Sequence, residues 1–138
     1  MKPAVIALVA LAGGTVSASA ETVEPNMTGN AVYEICSAQN DMTKQGFCLG
    51  YIVGIVEGMK WGAAVPMMRA EIPRNEVNGM VDMFLGFCLP EGATWGQYRD
   101  VIVGYLQKNP AERHTSARLL AQLALAEAFP CETPLLEE

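Results

Sequence analysis

An all-α chain, a small disulfide-stapled bundle of about four to five helices, is what these 138 residues predict. Three observations point there. The C-terminal third repeats its apolar residues at spacings of three and four, the period of a helix with one buried stripe. The most apolar segment, GFCLGYIVGIVEGMKWG (46–62), is too long for a strand and lacks strict alternation. Four cysteines, an even count in a small chain, suggest two disulfides that staple a modest core.

The first twenty residues read as a leader rather than as part of the fold. Met1-Lys2 is a short basic start, Ala4 to Ala12 an apolar run, and Ala18-Ser19-Ala20 a small-x-small cleavage site. The apolar run falls short of the roughly 20 residues that span a bilayer. Residues 21–28 form a polar lead-in, 29–131 the folded domain, and 132–138 a tail.

Within the domain, Thr28 is placed to cap a helix from Gly29 to about Asn40. The glycine-rich segment follows as a second helix, to about Trp61. Residues 62–79, with Pro66, Pro73, Asn75, Asn78 and Gly79, read mainly as a loop, and 76–87 as a short helix before the turn at Leu89-Pro90-Glu91-Gly92. Thr94 with Gln97 three residues on is a capping-box pattern. It opens a helix through Trp95, Tyr98, Val101, Ile102, Tyr105 and Leu106 that ends near Asn109. Asn109-Pro110-Ala111-Glu112 has the form of another helix start, giving a last helix to about Ala128, stopped by Pro130.

Helix placement selects a cysteine pairing. A short connection makes the first two helices antiparallel neighbours, so Cys36 faces Cys48 near the closed end of their hairpin. Cys88 precedes the third long helix and Cys131 follows the last, so the pair Cys88–Cys131 closes the open end of that second hairpin.

The glycines raise a separate question. Gly46, Gly50, Gly54, Gly58 and Gly62 fall every fourth residue, and each costs about 1 kcal/mol of helix propensity relative to Ala. Successive members step about 40° round the helix, so Gly50, Gly54 and Gly58 share one groove. Such a groove admits another backbone closely, either a helix of the same subunit or its twin across a two-fold axis. A membrane span fails, because Glu57, Lys60 and Lys44 leave only Gly46 to Val56 free of charge, about half a span.

Charge and chemistry narrow the function. Without Lys2 the chain carries eight Lys and Arg against fifteen Asp and Glu, which argues against nucleic acid as partner. No CxxC pair supports a zinc or thioredoxin-like site, and CxxCH haem attachment is absent. His114 is the only histidine, the cysteines are used in the pairing, and no GxSxG-type nucleophile motif occurs, so the enzyme reading is poor. The eight methionines fit core filling and adaptable surfaces better than a copper(I) site, and no cofactor is expected.

Three blocks carry a resemblance. CLGYIVGIVEG (48–58), FCLPEGATWGQYRDVIVGYLQKNPAERH (87–114) and ALAEAFPC (124–131) are similar to the Rap/Tai family of type VI secretion immunity proteins. Cys48, Gly50, Tyr51, Gly54, Glu57 and Gly58 fit the first block; Cys88, Pro90, Gly92, Gln97, Tyr105, Leu106, Pro110 and His114 the second. Ala124, Leu125, Phe129, Pro130 and Cys131 fit the third. The resemblance implies a helical, disulfide-bonded periplasmic protein, often a homodimer, that blocks a cognate peptidoglycan amidase effector. Residues 62–79 depart from the family pattern and are either a partner-reading surface, with Val65, Met67 and Met68 as apolar anchors and Arg69, Glu71 and Arg74 as polar rim, or a loop folded over its own core. The rival is a periplasmic stress or chaperone-type binding protein with no toxin partner.

Overall fold

The computed structural model describes residues 27–132; the expected leader, the lead-in up to residue 26 and the tail from 133 lie outside them. Five α-helices occur among the described residues: α1 (Gly29–Cys36), α2 (Met42–Arg69), α3 (Arg74–Leu85), α4 (Trp95–Lys108) and α5 (Ala117–Ala128). No strand forms among them, and the expected all-α class holds.

Each helix starts and stops for a local reason. Thr28 Oγ1 accepts from the Ala31 amide at 3.3 Å and opens α1. The helix stops at Cys36, four residues short of the expected Asn40. The carbonyls of Ala38 and Gln39 instead accept from the Gln45 side-chain amide, and the Cys36–Cys48 disulfide turns the chain back along α2. Asp41 then caps α2 through the Lys44 amide at 3.0 Å. Thr94 Oγ1 accepts from the Gln97 amide at 3.2 Å, so the predicted start of α4 is where the helix begins.

Two expectations are corrected. Residues 62–79 are not mainly loop: α2 continues to Arg69 and α3 starts at Arg74, leaving only a four-residue turn. Pro66 is tolerated because it stands in the last turn, where the Gly62 carbonyl it leaves without a helical donor is on an exposed residue. The last helix does not start at Pro110. Residues Pro110–Glu112 form one 3₁₀ turn, and α5 begins at Ala117.

The reason for the second correction is a long-range pairing. The Gly29 amide donates to the Thr115 carbonyl at 3.0 Å, Asn30 to the Arg113 carbonyl at 2.7 Å, and Ala117 to the Met27 carbonyl at 2.8 Å. The carbonyls of Arg113 and Thr115 thus go to the start of α1 instead of to a helix of their own. Arg113 completes the joint. Its guanidinium lies 3.7 Å above the Tyr33 ring and donates to the carbonyls of Leu106 and Gln107, capping the end of α4.

The core runs between α2, α4 and α5. Ile52, Val56, Ile102, Leu106, Ala121 and Leu125 are almost wholly buried there, with Phe87 from the segment after α3. Val77, Val81 and Leu85 hold α3 against it. Cys88–Cys131 fastens the start of the α4–α5 hairpin to its end, and the Cys88 amide donates to the Phe129 carbonyl at 2.8 Å. Trp95, Tyr98 and Phe129 pack edge to face beside it.

Candidate functional site

α2 has 28 residues, a length of about 42 Å. Its inner face carries Cys48, Ile52, Ile55 and Val56 into the core. By length and composition it is long and apolar enough to cross a membrane, yet only 22% of its most apolar window is buried within the chain. Contacts with α1, α3 and α4 make it the central core helix. Its other faces stay apolar in the open: Phe47 is 51% exposed and Trp61 65% exposed. A helix that leaves large apolar side chains this open has surface to give to a partner.

α3 folds back along α2 and creates a groove of about 890 Å³. Ala64, Val77 and Val81 supply apolar lining, Trp61 and Met68 are exposed at its edge, and Arg74 and Glu91 add charge. Lys60 Nζ lies 3.0 Å from Asp82 Oδ1, an ion pair that links the two helices partway along the groove.

The turn at the tip of this hairpin is defined. The Ile72 amide donates to the Met67 carbonyl at 3.3 Å and the Glu71 amide to the Met68 carbonyl at 3.2 Å. These two reverse bonds need a left-handed residue between them, a place usually taken by glycine. Here it is Glu71, with φ 59°, the one non-glycine residue of positive φ among those described. Ile72 and Met67, which flank it, are half-buried against the core.

The six residues expected to read a partner are therefore split. Met68 and Arg74 line the groove, and Arg69 and Glu71 are exposed at the tip. Val65 is half-buried, and Met67 packs on the core, so it is not a free anchor. Trp61 was not among the six. Nor were Met80, Met83 and Phe84 on the outer side of α3, or Leu119 and Leu123 on α5, all of them exposed. Their spacing of three and four was visible in the sequence. What it lacked was a sign of which apolar side of each helix faces inward.

Gly50, Gly54 and Gly58 line an open, shallow groove with Tyr51, Ile55 and Arg118. A β-carbon added at any of the three would meet nothing within 4 Å. The reading in which another helix of the same subunit fills this groove is therefore set aside. The glycine that does hold two backbones together is Gly29, whose β-carbon would come within 2.5 Å of Leu120 Cδ1 and 3.0 Å of the Arg113 carbonyl oxygen.

Burial raises the Tyr51 phenol above its ordinary 10.0, opposed by the nearby Arg118 charge. Tyr105 is raised by desolvation and then by Glu112, whose carboxylate accepts its hydroxyl at 3.4 Å. The four cysteines are joined as Cys36–Cys48 and Cys88–Cys131, so none offers a thiolate. The His114 ring nitrogen lies 2.9 Å from the Ala111 carbonyl in an exposed turn. Among the described residues no three His, Cys, Asp or Glu gather where a metal ion would fit. The arrangement leaves large apolar side chains exposed, and the two disulfides fit an oxidising compartment.

A model of the Rap1a immunity proteins matches residues 28–131. The chain belongs to the Rap1a immunity protein family. The match runs from the α1 cap through the second disulfide, so it takes in the whole described bundle of this Rap1a protein. No curated protein and no solved structure matches the chain.

Proposed function

We propose that this Rap1a protein is exported, loses residues 1–20, and in the periplasm binds and occludes a cognate peptidoglycan amidase delivered by type VI secretion. It acts without turnover, as a plug. Family membership supports the immunity role, and the paired cysteines support the compartment. The single observation that carries the binding mode is the α2–α3 groove, an apolar floor rimmed by Met68 and Arg74 and closed by a strained turn at Glu71. Strain of this kind persists where the surroundings hold it, and it gathers at clamps and switches.

A second reading, a chaperone-type protein with no toxin, draws on the exposed Met80, Met83, Phe84, Leu119 and Leu123. One assay separates the two. The purified protein is titrated into peptidoglycan hydrolysis by candidate type VI amidases. Immunity predicts inhibition that saturates at a fixed stoichiometry. It also predicts that Met68→Asp combined with Arg74→Glu weakens the complex at least tenfold while circular dichroism is unchanged. Undiminished hydrolysis at a large excess of protein rejects immunity, and acid-dependent suppression of unrelated aggregation supports the chaperone.

A further inference from the structure

The charges that line the α2–α3 groove are sorted by sign along its length. Lys60 and Asp82 face each other across it at 3.0 Å and neutralise one another. Arg74, the first residue of α3, stands about 12 Å from Asp82 along that helix, toward the tip of the hairpin. Glu57 lies on the far side of Lys60 from the tip, and Glu91 comes from the segment beyond α3. All three are exposed, and none has an ion-pair partner among the described residues. Arg69, Glu71 and Glu76 lie near the tip without lining the groove. Between the two ends the floor is apolar, made by Ala64, Val77 and Val81. One trough thus has a positive end, an apolar middle and a negative end.

We propose that this groove takes one amphipathic helix of a partner protein, acidic in its first turn, apolar along one side and basic in its last turn. The choice of the groove rests on the binding mode proposed above; the chemistry of the occupant comes from the charges. Two antiparallel helices leave a trough in which a third can lay an apolar stripe. From Glu57 to Met68 the trough follows about 17 Å of α2, or about three turns of a bound helix. An acidic side chain at one end then meets Arg74, and a basic one at the other meets Glu57 and Glu91. Acidic first turn and basic last turn is also the order that a helix's own dipole favours. The bound helix therefore runs from the tip to the base, parallel to α3 and antiparallel to α2. Exposed charge pairs of this kind add little affinity one by one. They sort partners instead, because a helix with the wrong sign at either end meets like charge. In a chain that is acidic as a whole, attraction by net charge alone would admit any basic helix. Arg74 at the tip is what turns such helices away.

Synthetic helical peptides test the inference without any toxin, so it and the proposed function fail separately. Three peptides of about four turns share one leucine stripe. The first has glutamates in its first turn and lysines in its last; the second has lysines at both ends, and the third glutamates at both. Affinity is read by titration calorimetry. Trp61, exposed at the groove edge, reports where the peptide sits, through the emission change that Trp61→Phe removes. At about 0.01 M salt the first peptide should bind about threefold to tenfold more tightly than either other, an advantage lost at about 1 M. Arg74→Glu should transfer the preference to the lysine-ended peptide. Glu57→Lys with Glu91→Lys should transfer it to the glutamate-ended one, with circular dichroism unchanged in both variants. Equal binding of the three peptides, binding of none, or preferences that the reversals leave in place overturns the proposal. So does a bound peptide that leaves Trp61 emission unaltered. The expected sorting by a protein that inhibits no candidate amidase upholds the inference and rejects the proposed function. Inhibition of an amidase that both reversals leave intact keeps the immunity role and overturns the inference.

Discussion

Glu71 and Gly29 show that the residue types at two backbone positions are in tension with each other's logic. Glu71 occupies a left-handed conformation that costs an L-residue about 1–2 kcal/mol, while a β-carbon at Gly29 would press on the Leu120 side chain and the Arg113 backbone. Glu71→Gly should raise stability by about 1 kcal/mol in a denaturant titration, with the fold unchanged. A fall in stability would mean the Glu71 side chain makes a contact worth more than the strain. Gly29→Ala should cost about 1–3 kcal/mol, the usual range for overpacking. The alternation of small and large residues in the sequence did not distinguish these positions from the five open glycines of α2. A glycine's purpose depends on what lies opposite, and for Gly29 that is Arg113, more than eighty residues later in the chain.

At the scale of elements, helices with complete local signals were legible and those shaped from outside were not. α4 carries its own cap, stripe and stop in Thr94, Tyr98–Ile102–Leu106 and Asn109. The stretch 110–116 carries an equally good start signal, yet Asn30 and Gly29 take the carbonyls of Arg113 and Thr115. Two prolines near the tip of α2 and α3 suggested a loop. Pro66 sits in a final turn and Pro73 precedes a first one, the two places where proline disturbs a helix least. The groove between these helices was therefore hidden until α2 reached its full length. α3 also holds Gly79 on its exposed side, with nothing within 4 Å of an added β-carbon. Gly79→Ala should stabilise the protein by about 0.5–1 kcal/mol. No gain in the thermal midpoint would show that α3 is ordered by something other than its own propensity.

For the whole molecule, the disulfides close loops of 12 and 43 residues. On a chain-entropy basis they contribute about 3 and about 4 kcal/mol, a large share of the stability of a domain this size. Replacing Cys88 and Cys131 with Ala should lower unfolding free energy by about 3–4 kcal/mol, and the Cys36–Cys48 pair by less. An equal or reversed ranking in matched denaturant titrations would show that native contacts, not loop length, set the contribution. The pairing was readable before the fold was, because antiparallel hairpins leave few ways to join four positions.

The Arg113 joint has a kinetic implication. One guanidinium closes the end of α4, stacks on α1 through Tyr33, and belongs to the stretch that binds Gly29 and Asn30. The first and fourth helices are therefore welded into one opening unit, although some sixty residues of chain separate them. Amide protons of Gly29, Asn30 and Asn109 should be released to solvent together, and an intruder that peels off the first turn must unlock the far end of the bundle as well.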